Sequence, residues 1–490
     1  MQKKQNLLVT LAAGLLLAKS THGATAPTYV PGPSSGKISG APGQVPQSVP
    51  VILPSTDVST NLPTGGPGAQ TMQGYNPSTD NPGLYTGLPT QMPEGLTQAP
   101  ETFWKRDTML GDVWGLRNTI NNYGFDFDPV YTGEVFGNVS GGMKQGAVYD
   151  SSLNLPLTIY LDKIADWWDG GIVHANALWI TGRSLSADKV GDISGTSNIS
   201  GYDTVRLQEL WFQQTFWSMR ASVKVGLVAA DAEFFTSDTA SLFINGTFGA
   251  FTLVGANLPN PPVYPMAAPG VRFLIQPVPQ FYFQSGVYEG NSEAQNVNKN
   301  GIDFHFASSD GLLIFSEAGY LLNQAAGDRG LVGTYKLGSF VHTANFADWN
   351  SGAGEGANFG VYGVADQEIY KHGGKDVSFF MRGGGVPANV NTIDWYFDAG
   401  FNFSGFMPGR LLDTAGIAVA RSNFSHDFSD AQIAGGSNPF TQETVIEATY
   451  KAQITPWWTV QPDFQYIVNP SGQEGSHDAA VIGLRTTIVF

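Results

Sequence analysis

Apolar and polar residues in this chain alternate, unbroken, over stretches too long for an ordinary globular strand. Leu153, Leu155, Leu157, Ile159 and Leu161 oppose Asn154, Pro156, Thr158, Tyr160 and Asp162. Ile393, Trp395, Phe397, Ala399, Phe401 and Phe403 oppose Asp394, Tyr396, Asp398, Gly400, Asn402 and Ser404. Thr444, Ile446, Ala448, Tyr450, Ala452 and Ile454 oppose Glu443, Val445, Glu447, Thr449, Lys451 and Gln453. A period of two puts each set on one face of a strand. Soluble strands average about 5–6 residues, whereas tilted membrane strands need about 9–11. One face is almost purely aliphatic and aromatic, and the other carries charges of both signs, as lipid outside and water inside would require. The last stretch, Gly483–Phe490, ends the chain with a phenylalanine on its apolar face, where a closing membrane strand would meet the interface. A soluble β-sandwich is the competing reading of that strand alone.

Composition favours the membrane reading. Only 13% of the residues are charged, about half the usual share, while 12% are aromatic. No cysteine is present, so disulfides, thiolate metal sites and thiol nucleophiles are excluded. A net charge of −16 argues against a nucleic-acid partner, because phosphate binding needs clustered lysine and arginine.

Residues 1–26 read as a signal peptide: Lys3 and Lys4, an apolar core from Leu7 to Ala18, and the small residues Ala24, Thr25 and Ala26. The apolar core is too short to cross a bilayer as a helix. Residues 27–102 are crowded with proline and glycine and lack a hydrophobic period. They read as a disordered periplasmic tether, with a polyproline ligand as the lesser alternative. Residues 103–127 carry a short amphipathic helix on Leu116, Ile120 and Tyr123, stopped by Gly124, beside or inside the barrel mouth. The fold class is thus all-β. Residues 128–490 form a transmembrane antiparallel β-barrel of about 16 strands at about 20–24 residues per strand and connection. Polar or Gly-rich stretches at 185–203, 228–270, 289–300, 348–358 and 422–441 read as outer loops, or as a loop folded into the lumen.

Several segments together resemble the carbohydrate-selective porin (OprB) family of Gram-negative outer membranes. They are Arg106–Arg117, Tyr131–Glu134, Leu242–Gly249, Tyr264–Arg272, Thr455–Pro470 and Gly483–Arg485. In one of them the family's usual Gly-Asp-Trp-Gly-Gly-Leu-Arg becomes Gly111-Asp-Val-Trp-Gly-Leu-Arg117. The resemblance covers residues 103–490 and implies a 16-stranded outer-membrane porin that passes monosaccharides and similar small polar solutes by diffusion. Its partners would be small carbohydrates and outer-membrane lipid, with a homo-oligomer as a further option. The alternative on the same fold is a barrel enzyme or adhesin acting through its outer loops.

No nucleophile elbow, HExxH zinc motif or phosphate loop occurs, so no catalytic site, metal or cofactor is expected. His174 and His305 read as solvated lumen residues, Asp126 and Asp128 as turn residues, and Tyr264-Pro265 as an ordinary Pro-rich loop rather than a sugar-stacking one. The candidate pore-lining residues are the polar-face Glu134, Asp162, Arg206, Arg220, Lys224, Glu447, Lys451, Asp463, Gln465 and Arg485. Arg485, Asp463 and Glu447 form the strongest group, because three successive strands would bring them onto one inner wall.

Overall fold

The computed structural model describes residues 102–490 apart from 114, 166–167, 295–296, 305 and 326–327. The signal peptide, nearly all of the Pro/Gly-rich segment and His305 lie outside the described residues. A short stub, β1 (Phe125–Phe127), precedes the barrel strands β2 (Val130–Ser140), β3 (Gly146–Tyr160), β4 (Gly171–Gly182), β5 (Thr204–Phe216) and β6 (Ala221–Val228). They continue with β7 (Ala268–Val278), β8 (Phe281–Glu289), β9 (Leu312–Leu322), β10 (Gly333–His342), β11 (Asn358–His372) and β12 (Lys375–Gly385). The ring is completed by β13 (Ile393–Ser404), β14 (Thr414–Phe424), β15 (Gln442–Thr455), β16 (Trp458–Val468) and β17 (Ala479–Val489).

Every strand from β2 to β17 pairs antiparallel with its sequence neighbour, and β17 pairs back onto β2, closing a ring of 16 strands. Closure leaves no sheet edge unpaired, which is what a lipid environment demands of strands. At the seam Arg485 lies opposite Glu134, and the Phe490 amide donates to the Pro129 carbonyl at 2.9 Å. Pro129 has no N–H to give the ladder, and the β1 stub on its far side pairs with β3 instead.

From Trp395 onward the period-two reading of β13 holds residue by residue. On β13, Trp395, Phe397, Phe401 and Phe403 face out and are exposed, while Tyr396, Asp398, Gly400 and Asn402 face in and are buried. Ile393, expected on the outer face, is instead buried inside, because the ladder with β14 slips by one residue between Ile393 and Trp395. Connections differ sharply at the two ends. One end has tight turns such as Gly373-Gly374 and Pro456-Trp457. The other carries long loops at 183–203, 229–267, 290–311, 343–357, 425–441 and 469–478.

Helix α1 (Leu116–Asn122) forms where its spacing predicts and is followed by Gly124 at φ 86°. A Cβ there would stand 2.6 Å from the Tyr160 carbonyl, so glycine is required twice over. The helix sits at the tight-turn rim. Arg117 donates to the Phe490 carbonyl at 2.5 Å and pairs with Asp128, and the Trp457 indole donates to the Phe103 carbonyl at 3.0 Å.

Most of the hydrophobic core is inside the barrel. The 229–267 loop folds inward and packs Phe234, Phe235, Phe243, Phe248 and Phe251 against inward-facing Phe315, Phe340, Tyr362, Phe380 and Tyr396. Wall glycines make room for these rings. A Cβ on Gly338 would stand 2.1 Å from the Tyr362 ring.

Because the ring of paired strands melts only as a unit, detergent-folded protein is expected to show β-dominated far-UV dichroism. It should also run faster on a gel unheated than boiled. A helix-rich spectrum, or identical mobility before and after boiling, would contradict the closed ring.

Candidate functional site

The long inward loop is held by charged side chains of the wall. Arg382 on β12 and Asp398 on β13 lie opposite one another, both fully buried, and bond at 2.5 Å. The same guanidinium donates to the carbonyls of Phe248 at 2.7 Å and Gly249 at 3.1 Å, while the Tyr396 hydroxyl donates to Asp398 at 2.7 Å. Glu447 accepts the amides of Ile244 at 2.6 Å and Asn245 at 2.9 Å. Glu317 accepts the Phe235 amide at 3.0 Å and the hydroxyls of Tyr282 and Tyr362. Glu233, on the loop itself, sits between Lys224 of β6 and Arg272 of β7, whose Nε donates to it at 2.9 Å. Burial pushes the Glu233 carboxyl up, but Arg272 and Lys224 together outweigh it and hold it below the usual carboxylate range.

A second loop, 183–203, also turns inward. Glu443 on β15 accepts the amides of Ile193 and Ser194, both at 2.9 Å. Glu134 accepts the Ser197 hydroxyl, Arg485 bonds Glu134 at 2.7 Å and Asn198 at 2.5 Å, and Gln465 donates to the Thr196 carbonyl at 2.8 Å. Tyr264 is buried between the loops, its hydroxyl donating to the Ile199 carbonyl at 3.1 Å, so its ring face is taken up by packing.

Of the ten positions picked out by sequence, eight lie on the inner face of strands. Glu134, Arg206, Lys224, Glu447, Asp463, Gln465 and Arg485 are buried there beneath the loops, and Lys451 is half-buried. Glu447, Asp463 and Arg485 do fall on the adjoining strands β15, β16 and β17. Asp162 and Arg220 stand elsewhere: β3 ends at Tyr160 and β6 starts at Ala221, so both are exposed at the tight-turn rim, Asp162 in the one-turn helix Leu161–Ile164 and Arg220 in a turn. Arg206 bonds the Tyr202 hydroxyl. His174 is not solvated: its ring stacks on Trp211 at 4.8 Å and bonds Thr158 at 2.9 Å. Sequence reasoning passed over Arg272, Arg382, Asp398, Glu317, Glu443 and the loop's own Glu233. The available signal was opposite charges on inward positions of neighbouring strands, as at Arg382 and Asp398.

Towards the tight-turn end the inner face also carries hydroxyls and amides, at Thr132, Thr158, Asn176, Asn402, Gln461 and Thr487, of which Asn402 and Gln461 donate to the loop carbonyls of Thr239 and Leu242. Near the same end an open cavity of ≈ 500 Å³ lies between Asp238 and Thr239 of the long loop and Thr334, Asp366, Gln367 and Ser378 of the wall.

Residues 144–490 match the carbohydrate-selective porin, OprB family. The chain belongs to that family. It is 28% identical to Porin B of Pseudomonas aeruginosa over 436 residues, covering 80% of this chain and 92% of that protein. It is 24% identical over 427 residues to the putative porin QuiX of Acinetobacter baylyi, covering 79% and 94%. The structure of Pseudomonas putida OprB at high pH superposes with a TM-score of 0.72 at 25% identity, covering 80% of this chain and all of that one. This is therefore an outer-membrane carbohydrate porin of a Gram-negative bacterium. In such barrels the tight turns face the periplasm and the long loops the exterior.

Proposed function

We propose that this porin passes monosaccharides and similar small polar solutes by passive, substrate-preferring diffusion. The observation that carries the reading is the division of labour on the inner wall. Buried charges carry most of the hold on the two loops, while neutral hydroxyl and amide groups, which keep hydrogen-bonding capacity beyond the contacts that Asn402, Gln461 and Gln465 make to the loops, remain for the solute. Such groups exchange hydrogen bonds with sugar hydroxyls at little net cost, so a sugar can enter and leave without being trapped. Apolar solutes gain nothing comparable. The porin family and fold support a channel rather than an enzyme. The same reading makes residues 1–26 an export signal and 27–102 a periplasmic tether, since Phe103 is fastened at the periplasmic rim beside Trp457.

Reconstituted into a planar bilayer, the protein should form open channels whose ion current falls as glucose is added, with weaker block by sucrose-sized sugars. Conductance that ignores every sugar in the panel, or no channels at all, would sink the proposal.

A further inference from the structure

One lumen cation takes no part in holding the loops. Lys451 points inward from β15, and among the described residues its ammonium has neither an ion pair nor a hydrogen bond to the protein. Each other inward-facing cation on a strand is engaged: Arg206 by Tyr202, Lys224 and Arg272 by Glu233, Lys336 by Thr236, Arg382 by Asp398 and Arg485 by Glu134. The charge acting on Lys451 is Arg485, of the same sign.

The register explains why these two feel each other. Thr449 faces Asp463 and Ala452 faces Val460, which puts Lys451 level with Gln461. Gln461 is directly opposite Arg485, and Lys451 is directly opposite Thr414 on its other side. One row across four strands therefore reads hydroxyl, ammonium, amide, guanidinium. With strands about 4.8 Å apart, Lys451 and Arg485 start about 10 Å apart on the wall, with Gln461 between them. Arg485 uses Nε on Glu134 and one terminal nitrogen on Asn198, leaving Nη1 without an acceptor among the described residues. Gln461 donates through Nε2 to the Leu242 carbonyl at 2.8 Å and to Thr449 at 2.9 Å, and its Oε1 accepts from no group among the described residues. Two cationic donors thus flank a free acceptor at one level of the lumen.

A neutral sugar uses only part of that pattern. A molecule with a carboxylate and neighbouring hydroxyls uses all of it: the carboxylate meets the cations, and a hydroxyl donates to Gln461 Oε1. We propose that Lys451, Gln461 and Arg485 form a subsite for sugar acids (aldonates and uronates), with Lys451 setting the preference over the neutral sugar. This rests on the porin reading and narrows its substrate class. It also gives an acidic chain a local attraction for anions at the point where they pass.

The test is current block in planar bilayers by gluconate and by glucose, matched in ionic strength, for the wild-type porin and for Lys451→Gln and Lys451→Arg. Gluconate should block wild type at lower concentration than glucose. Lys451→Gln should weaken gluconate block about three- to tenfold, the size expected of one partly solvated ion pair. Glucose block should change much less than gluconate block, Lys451→Arg should restore the gluconate preference, and the reversal potential of Lys451→Gln should move toward cations. Equal block of wild type by the two solutes overturns the proposal without reference to any variant. A gluconate-to-glucose ratio unchanged in Lys451→Gln overturns it as well. Failure of the porin reading looks different: neither solute then affects the current.

Discussion

Replacing Arg382 with alanine is expected to release the long inward loop and widen the pore. The guanidinium is wholly enclosed, and besides Asp398 it holds the carbonyls of Phe248 and Gly249. Its loss strands a buried carboxylate, at a cost of about 3–5 kcal/mol for removing one member of such a pair. It also leaves loop carbonyls without donors inside an aromatic core. The loop responds because its other holds, at Glu447, Glu317 and Glu233, lie at separate points along it. Single-channel conductance should rise, sugar block should weaken, and the gel-shift transition should come at lower temperature. A double variant, Arg382→Met with Asp398→Leu, separates the two effects. It removes both charges, so most of the stability should return, but it supplies no donor to the loop, so conductance should stay raised. Wild-type conductance in the double variant would show that the pair stabilises the wall without seating the loop.

The barrel was legible because lipid imposes a rule that each strand must obey on its own: every second side chain apolar for about ten residues. Where that rule bends, as at Ile393, the cause is a one-residue slip in the β13–β14 ladder that no single-strand pattern records. The inner wall was legible only in part. Polarity marks Glu447, Asp463 and Arg485 as inward, and they are. Polarity cannot say whether an inward charge meets water or a loop backbone, and Glu447 meets two loop amides. Nor can it tell lipid from an internal core. Phe315, Phe340 and Phe380 are apolar residues on the inward face, buried against Phe234, Phe235, Phe243 and Phe248 of a loop that sequence marks only as a break in alternation. The Arg485–Glu134 pair joins the last strand to the first barrel strand, so it exists only once the ring has closed. Arg382 and Asp398 sit on consecutive strands, and pairing inward charges across each hairpin would have found them.

Glu233 gives the second large effect, and its sign is opposite to that of losing a lumen cation. Its carboxylate is shared by Lys224 and Arg272, all three nearly inaccessible. Glu233→Gln leaves two buried cations without their counter-charge. Lys224 keeps the face of Trp211, 4.0 Å from its ammonium, and Arg272 keeps Ser222 and Gln213. Glu209 on β5, which accepts the Ala229 amide, is the other carboxylate that acts on Lys224. The variant should be destabilised by about 3–5 kcal/mol and its pore should prefer anions more strongly than wild type at neutral pH. Proton linkage gives a second readout. The folded-state carboxyl of Glu233 lies below its ordinary value, so its contribution is fully present above the usual glutamate range. That contribution is lost as pH falls through the depressed value, below the ordinary glutamate range. Wild-type stability relative to Glu233→Gln should therefore be constant from neutrality down to about pH 5 and converge on the variant's in stronger acid. Using the difference removes the other lumen carboxylates, which titrate in both proteins. If the reversal potentials match at neutral pH and the stability difference does not shrink in acid, Glu233 is not the counter-charge that holds this corner of the loop.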